Sequence, residues 1–248
     1  MRKGRFTAPL VQAMVATLPA QPLHLLIMDN RLTSASARFD GEALRVLIHP
    51  GLHDSGEAHW QSWLQTQYKG AVRVRQHDWA TPDLDAWAER IAQTLSRPGR
   101  QGSWVAVAHS FGTLALARYL AQQQTRQREQ PAGQGAQAPG RIVSALLVAP
   151  ADPNKFDVAH RLPGRGLGIP ATVIGSENDP WMPLARAQHW ARQWGAGFIN
   201  LGEAGHINTE SGFGPWPLAR FKVDQLIRDQ QRQRRLDRAH PMELSYAV

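Results

Sequence analysis

Apolar residues fall along this chain in short, near-continuous runs separated by stretches at helical spacing. Arg45 to His49, Val72 to Arg75, Ser103 to Ala108, Ile142 to Val148, Ala171 to Gly175 and Phe198 to Asn200 read as strands. The intervening stretches read as helices. Trp60, Trp63 and Leu64 share one face of the first, with Asp54 or Ser55 as its expected cap. Leu84, Trp87, Ile91 and Leu95 line the second, with Thr81 as the expected cap and Pro82 in the first turn. Further helices are expected from Phe111 to about Gln124, from about Pro183 to Trp194, and from about Pro217 to Arg228. Strands alternating with helices, and apolar on both faces, predict an α/β fold: a mostly parallel sheet flanked by helices on both faces.

The 248 residues suffice for one large core rather than two. Residues 41–230 are read as a single domain, with a polar insert at about 124–140 rich in Gln, Arg, Gly and Ala and holding Pro131 and Pro139. Residues 1–40 are read as an N-terminal extension, in part disordered, and residues 231–248 as a basic tail. The basic start and the small residues near Ala20 resemble a weak export signal, but Gln12, Pro19 and Pro22 interrupt its apolar centre, so the expected location is cytoplasmic. No apolar run approaches the length needed to cross a bilayer.

The net charge is +8, and much of the excess is outside the expected core: Arg228, Arg232, Arg234, Arg235 and Arg238 near the C-terminus, and Arg118, Arg126, Arg128 and Arg141 around the insert. Without a nucleic-acid-binding motif this reads as solvated basic surface, and nucleic acid is not an expected partner. The absence of cysteine excludes disulfides, thiolate metal sites and a cysteine nucleophile.

The stretch Ala108-His109-Ser110-Phe111-Gly112 joins an apolar strand to a helix through small residues. A serine at such a turn is lifted above the sheet edge, and the helix N-terminus behind it presents backbone N–H groups. The usual pattern is G-x-S-x-G; here Ala108 takes the first glycine's place. Ser110 is thus a candidate nucleophile, with a simple helix cap as the plain alternative. Parallel sheets gather their chemistry at the carboxyl ends of strands. Two further ends are loaded: Gly175-Ser176-Glu177-Asn178-Asp179-Pro180 and Leu201-Gly202-Glu203-Ala204-Gly205-His206. A serine hydroxyl needs a base, an imidazole suits the task, and a carboxylate fixes that imidazole's tautomer. His206 and Asp179 supply both roles, with Glu177 and Asp152 as alternative acids. The backbone N–H groups of Leu52, in the turn after the first strand, and Phe111 are candidate oxyanion donors.

Taken together, the motifs resemble those of α/β-hydrolases, and more narrowly of small serine hydrolases of the retinoblastoma-binding-protein-9 and YdeN type. The resemblance rests on H-P-G-L-H-D-S from His49 to Ser55, H-W-x-x-W from His59 to Trp63, A-H-S-F-G from Ala108 to Gly112, S-E-N-D-P-W from Ser176 to Trp181, and G-H-I-N-x-E-S-G-F-G from Gly205 to Gly214. It spans about Arg45 to Arg228. It implies an α/β-hydrolase fold with little or no cap, a Ser110–His206–Asp179 triad, no cofactor, and hydrolysis of a small ester, amide or thioester through an acyl-enzyme.

Other residues admit plainer readings. His49, His53 and His59 with Asp54 match no metal-ligand signature, so no metal is expected. His109 is expected to pack or hydrogen-bond away from the proton-transfer line. His53, Trp60, Trp181 and Trp216 are candidates for the substrate pocket, against ordinary burial of the tryptophans. The competing functional reading is a non-catalytic protein on the same scaffold, using its basic termini to hold a protein or polyanion.

Overall fold

The computed structural model describes residues 44–129 and 139–238. Expectations for residues 1–43, for the insert at 130–138 and for residues beyond 238 lie outside them.

Six strands form one sheet: β1 (Arg45–His49), β2 (Val72–Arg73), β3 (Ser103–Ser110), β4 (Arg141–Pro150), β5 (Ala171–Gly175) and β6 (Gly197–Asn200), in the order β2-β1-β3-β4-β5-β6. Every pairing is parallel. The alternation of side chains along a strand sorts its residues into two cores. Leu47, Trp104, Ala106, Ala108, Leu147 and Val173 face one, with α2 (Leu84–Leu95) and α3 (Phe111–Glu129), and with Ala191 of α4 (Leu184–Gln193). Val46, Ile48, Val105, Val107, Leu146 and Ile174 face the other, with Trp60 and Leu64 of α1 (Trp60–Thr66) and Ala219, Val223 and Leu226 of α5 (Pro217–Arg238). Burial on both faces is why these strands read as continuous apolar runs.

Several boundaries differ from those expected. The cap of α1 is His59, whose Nδ1 accepts from the N–H of Gln61, rather than Asp54 or Ser55. Those two serve the preceding loop: Asp54 pairs with Arg73, and the Ser55 hydroxyl donates to Gln61 Oε1. Asp83 replaces Thr81 as the cap of α2, accepting from the N–H groups of Asp85 and Ala86, because the Thr81 hydroxyl donates to Asp78. β2 ends at Arg73 rather than Arg75. α3 runs past Gln124 to Glu129, so the polar stretch begins as helix. Similarly, α5 runs past Arg228 to Arg238: no glycine or proline interrupts it after Pro217, and Gln233 and Asp237 bond one turn apart.

Between β4 and β5 the chain makes two 3₁₀ turns, Pro153–Phe156 and Ala159–Arg161. Among the described residues no helix is long and apolar enough to cross a membrane.

Candidate active site

β3 passes directly into α3 at Ser110. Its φ of 52° is in the left-handed region, a strained conformation for a residue with a side chain. The turn is tight because two glycines let backbone approach backbone. A Cβ on Gly112 would stand 2.3 Å from the Pro50 carbonyl oxygen and 2.4 Å from His49 Nδ1. One on Gly51 would stand 2.7 Å from Ser110 Cβ. At the first position of the pattern, Ala108 is buried and pairs with His49 along β1, and its methyl is accommodated. Gly51 holds the turn carrying Leu52 hard against the serine.

The three predicted residues meet. Ser110 Oγ is 2.9 Å from His206 Nε2, and His206 Nδ1 is 3.0 and 2.9 Å from the two carboxylate oxygens of Asp179. A carboxylate only accepts, so Nδ1 carries the proton and Nε2 is left to accept from the serine hydroxyl. Asp179 is further fixed by the Trp181 N–H. The alternative acids are engaged elsewhere. Asp152 caps the 3₁₀ turn at Pro153–Phe156 and pairs with Arg186, while Glu177 accepts from Asn200.

The loop bearing His206 is held from several sides. The Ala204 N–H donates to Ser176 Oγ, the Gly205 N–H to Asn178 Oδ1 and the His206 N–H to Ser211 Oγ. Trp60 Nε1 donates to the Ile207 carbonyl at 2.8 Å, and His109 Nε2 is 3.0 Å from that of His206. Sequence reasoning assigned no such work to Ser176, Asn178 or Ser211, although all three stand inside the motif stretches.

On the opposite side Arg73 clamps the loop after Leu52. Its guanidinium donates to Asp54, the Ser55 carbonyl, Ser62 Oγ and Gln65 Oε1.

Ser110 opens into a cavity of about 440 Å³. Leu52, Phe156 and Trp181 supply apolar wall, and His53, Lys155 and Glu210 are among the polar lining. His53 and Trp181, both candidates for a substrate pocket, line this cavity, with Trp181 55% exposed and its ring 6.5 Å from that of His206. Trp60 and Trp216 do not. Both are core residues packed edge to face at 5.2 Å, and Trp60 is wholly buried, so their assignment to the pocket is corrected. Phe156, held against Phe111 at 5.0 Å, is the aromatic wall that the motifs did not reveal.

The residues weighed as metal ligands have separate tasks: His49 packs on Trp87, Asp54 pairs with Arg73, His59 caps α1 and His53 lines the cavity. Burial lowers the pKa of His49 to about 3. Burial, with the nearby Arg73 and His206, lowers that of His59 to about 4. His109 is driven well below the usual imidazole range by burial and by His206 and His59.

Residues 46–225 match the family model described as serine hydrolase. The chain belongs to the serine hydrolase family. A YdeN-like hydrolase of Pectobacterium atrosepticum is 35% identical, over 75% of this chain and 89% of that one, with a TM-score of 0.61. The ydeN gene product of Bacillus subtilis is 20% identical, over 75% and 100%, with a TM-score of 0.54, and supports the fold. So does Est1E of Butyrivibrio proteoclasticus with ferulic acid bound, at 12% identity over 76% and 90% with a TM-score of 0.55. Comparison with curated proteins gives no match. This serine hydrolase therefore has the α/β-hydrolase fold expected from its motifs.

Proposed function

We propose that this serine hydrolase cleaves a small ester through an acyl-enzyme formed on Ser110. One observation carries the reading: the unbroken line from the Ser110 hydroxyl through the His206 imidazole to the Asp179 carboxylate, each contact at 2.9–3.0 Å. Ser110 Oγ attacks the ester carbonyl carbon while its proton passes to His206 Nε2. The imidazolium so formed is stabilised by Asp179. As the tetrahedral intermediate collapses, the C–O bond to the leaving group breaks and His206 returns the proton to the departing alkoxide. Water then enters, gives a proton to His206 and attacks the acyl carbon, and the acid leaves as Ser110 recovers its proton.

The oxyanion would be held by the N–H groups of Leu52 and Phe111. The close approach of Gly51 to Ser110 and the position of Phe111 at the start of α3 support this pair. The 440 Å³ cavity, with apolar wall on Leu52, Phe156 and Trp181, favours a small or medium acyl group, and the same chemistry extends to thioesters and amides. No step requires a cofactor.

The test is steady-state hydrolysis of p-nitrophenyl acetate and butyrate by the wild type and Ser110→Ala. Loss of turnover by about 10³-fold or more with the fold retained is expected. Equal turnover by Ser110→Ala would refute the assignment.

A further inference from the structure

His109, the residue before the nucleophile, is buried, although a residue serving only to fill space there has no need of polar atoms. Its Nε2 meets the carbonyl oxygen of His206 at 3.0 Å. A carbonyl oxygen only accepts, so the proton must be on Nε2. The carbonyl belongs to a loop that is under strain. Ile207, a β-branched residue, has φ of 50°, a conformation that such residues avoid unless their surroundings impose it. The restraints stand on either side of Ile207: His109 holds the carbonyl before it, and Trp60 Nε1 holds its own carbonyl.

We propose that His109 is a positioning residue, locking the peptide after His206 to the nucleophile's own strand so that base and nucleophile keep their register. The proposal rests on the reading of Ser110 and His206 as nucleophile and base. Without the bond, the strained peptide after His206 keeps only the hydrogen bond from its Ile207 N–H to the Ala204 carbonyl at 3.2 Å, its carbonyl is released, and the His206 ring shifts from its line to Ser110 Oγ. The site also keeps His109 uncharged. Its ring is 4.9 Å from that of His206 and 5.0 Å from that of His59, and a cation there would oppose the imidazolium that His206 must become. Burial and those two neighbouring rings hold the His109 pKa well below the usual range, consistent with a permanent neutral donor. His59 is likewise constrained, since its Nδ1 accepts from the Gln61 N–H.

Glutamine and asparagine separate this role from packing. The glutamine amide nitrogen reaches about as far as histidine Nε2 and can donate to the same carbonyl, whereas that of asparagine reaches only about as far as Nδ1. The readouts are the second-order rate of labelling by a fluorophosphonate probe, the melting temperature of each variant, and the imidazole ¹⁵N shifts of the wild type. His109→Asn is expected to label about tenfold more slowly than the wild type, and His109→Gln to recover most of that loss at similar melting temperatures. The His109 shifts should report a proton on Nε2 and none on Nδ1 throughout pH 5.5–8. His109→Asn labelling at the wild-type rate, His109→Gln as slow as a folded His109→Asn, or a proton on Nδ1 would each overturn the proposal. Wild-type protein that resists the probe would instead refute the nucleophile assignment, and the ¹⁵N shifts would still decide the bond to His206.

Discussion

Ser110 and Gly112 divide the demands of the turn between them. Ser110 accepts a left-handed φ, and Gly112 gives the room for α3 to start against the end of β1. The contacts that a methyl at 112 would make are with the Pro50 backbone and a buried imidazole, neither of which can swing aside. Gly112→Ala should therefore destabilise the protein by about 1–3 kcal/mol, a fall of about 3–10 °C in melting temperature for a domain of this size. Thermal unfolding of the two proteins checks this, and an unchanged midpoint would mean that the turn has slack. The other tightness that sequence could not reveal is at Ile207. Nothing in Gly205-His206-Ile207-Asn208 signals a positive φ at a β-branched position, because neighbours far along the chain impose it.

At the scale of elements, what could be read from sequence was what local periodicity and chemistry determine. β1, β3, β4 and β5 were legible since their two-sided burial leaves continuous apolar runs, whereas the half-buried edge strands β2 and β6 left shorter signals, that of β2 an alternation of valine and arginine. Ser110, Asp179 and His206 were legible as chemical residue types at three strand ends in parallel order. Asp179 was set ahead of Asp152 and Glu177 by the motif resemblance alone, since the partners of those two, Arg186 and Asn200, are not placed by sequence. The caps were misplaced where a candidate's side chain had another partner: Asp54 the distant Arg73, and Thr81 the local Asp78, three residues before it. The tryptophans failed in the same way. Trp60 stands in a motif stretch and Trp216 just beyond one, yet the helix face that carries Trp60 turns it into the core against Trp216. The long ends of α3 and α5 were missed because polar, arginine-rich sequence reads as loop, although its residues are good helix formers.

At the scale of the whole molecule, the buried histidines couple stability to pH. An unfolded histidine titrates near its ordinary value of about 6.5. In the folded protein His49 falls to about 3 and His59 to about 4, and His109 also lies well below the ordinary range. Between about pH 4 and 6.5 the unfolded chain therefore binds more protons than the native one, and unfolding free energy rises with pH. The contribution is complete above about pH 6.5 and declines on acidification, by up to about 1.4 kcal/mol per pH unit for each of these histidines. Urea unfolding at pH 7.5 and pH 5 should show the lower midpoint at pH 5. Equal midpoints, or a higher one in acid, would contradict neutral burial of these rings.

Site-mapped labelling asks whether Ser110 is an activated nucleophile. The purified protein is treated with a fluorophosphonate probe, digested and read by mass spectrometry, with heat-denatured protein and His206→Ala as controls. A single adduct is expected on the peptide holding Ser110, absent from both controls. A folded wild type without the adduct, or one that carries it equally after loss of His206, would contradict an activated Ser110.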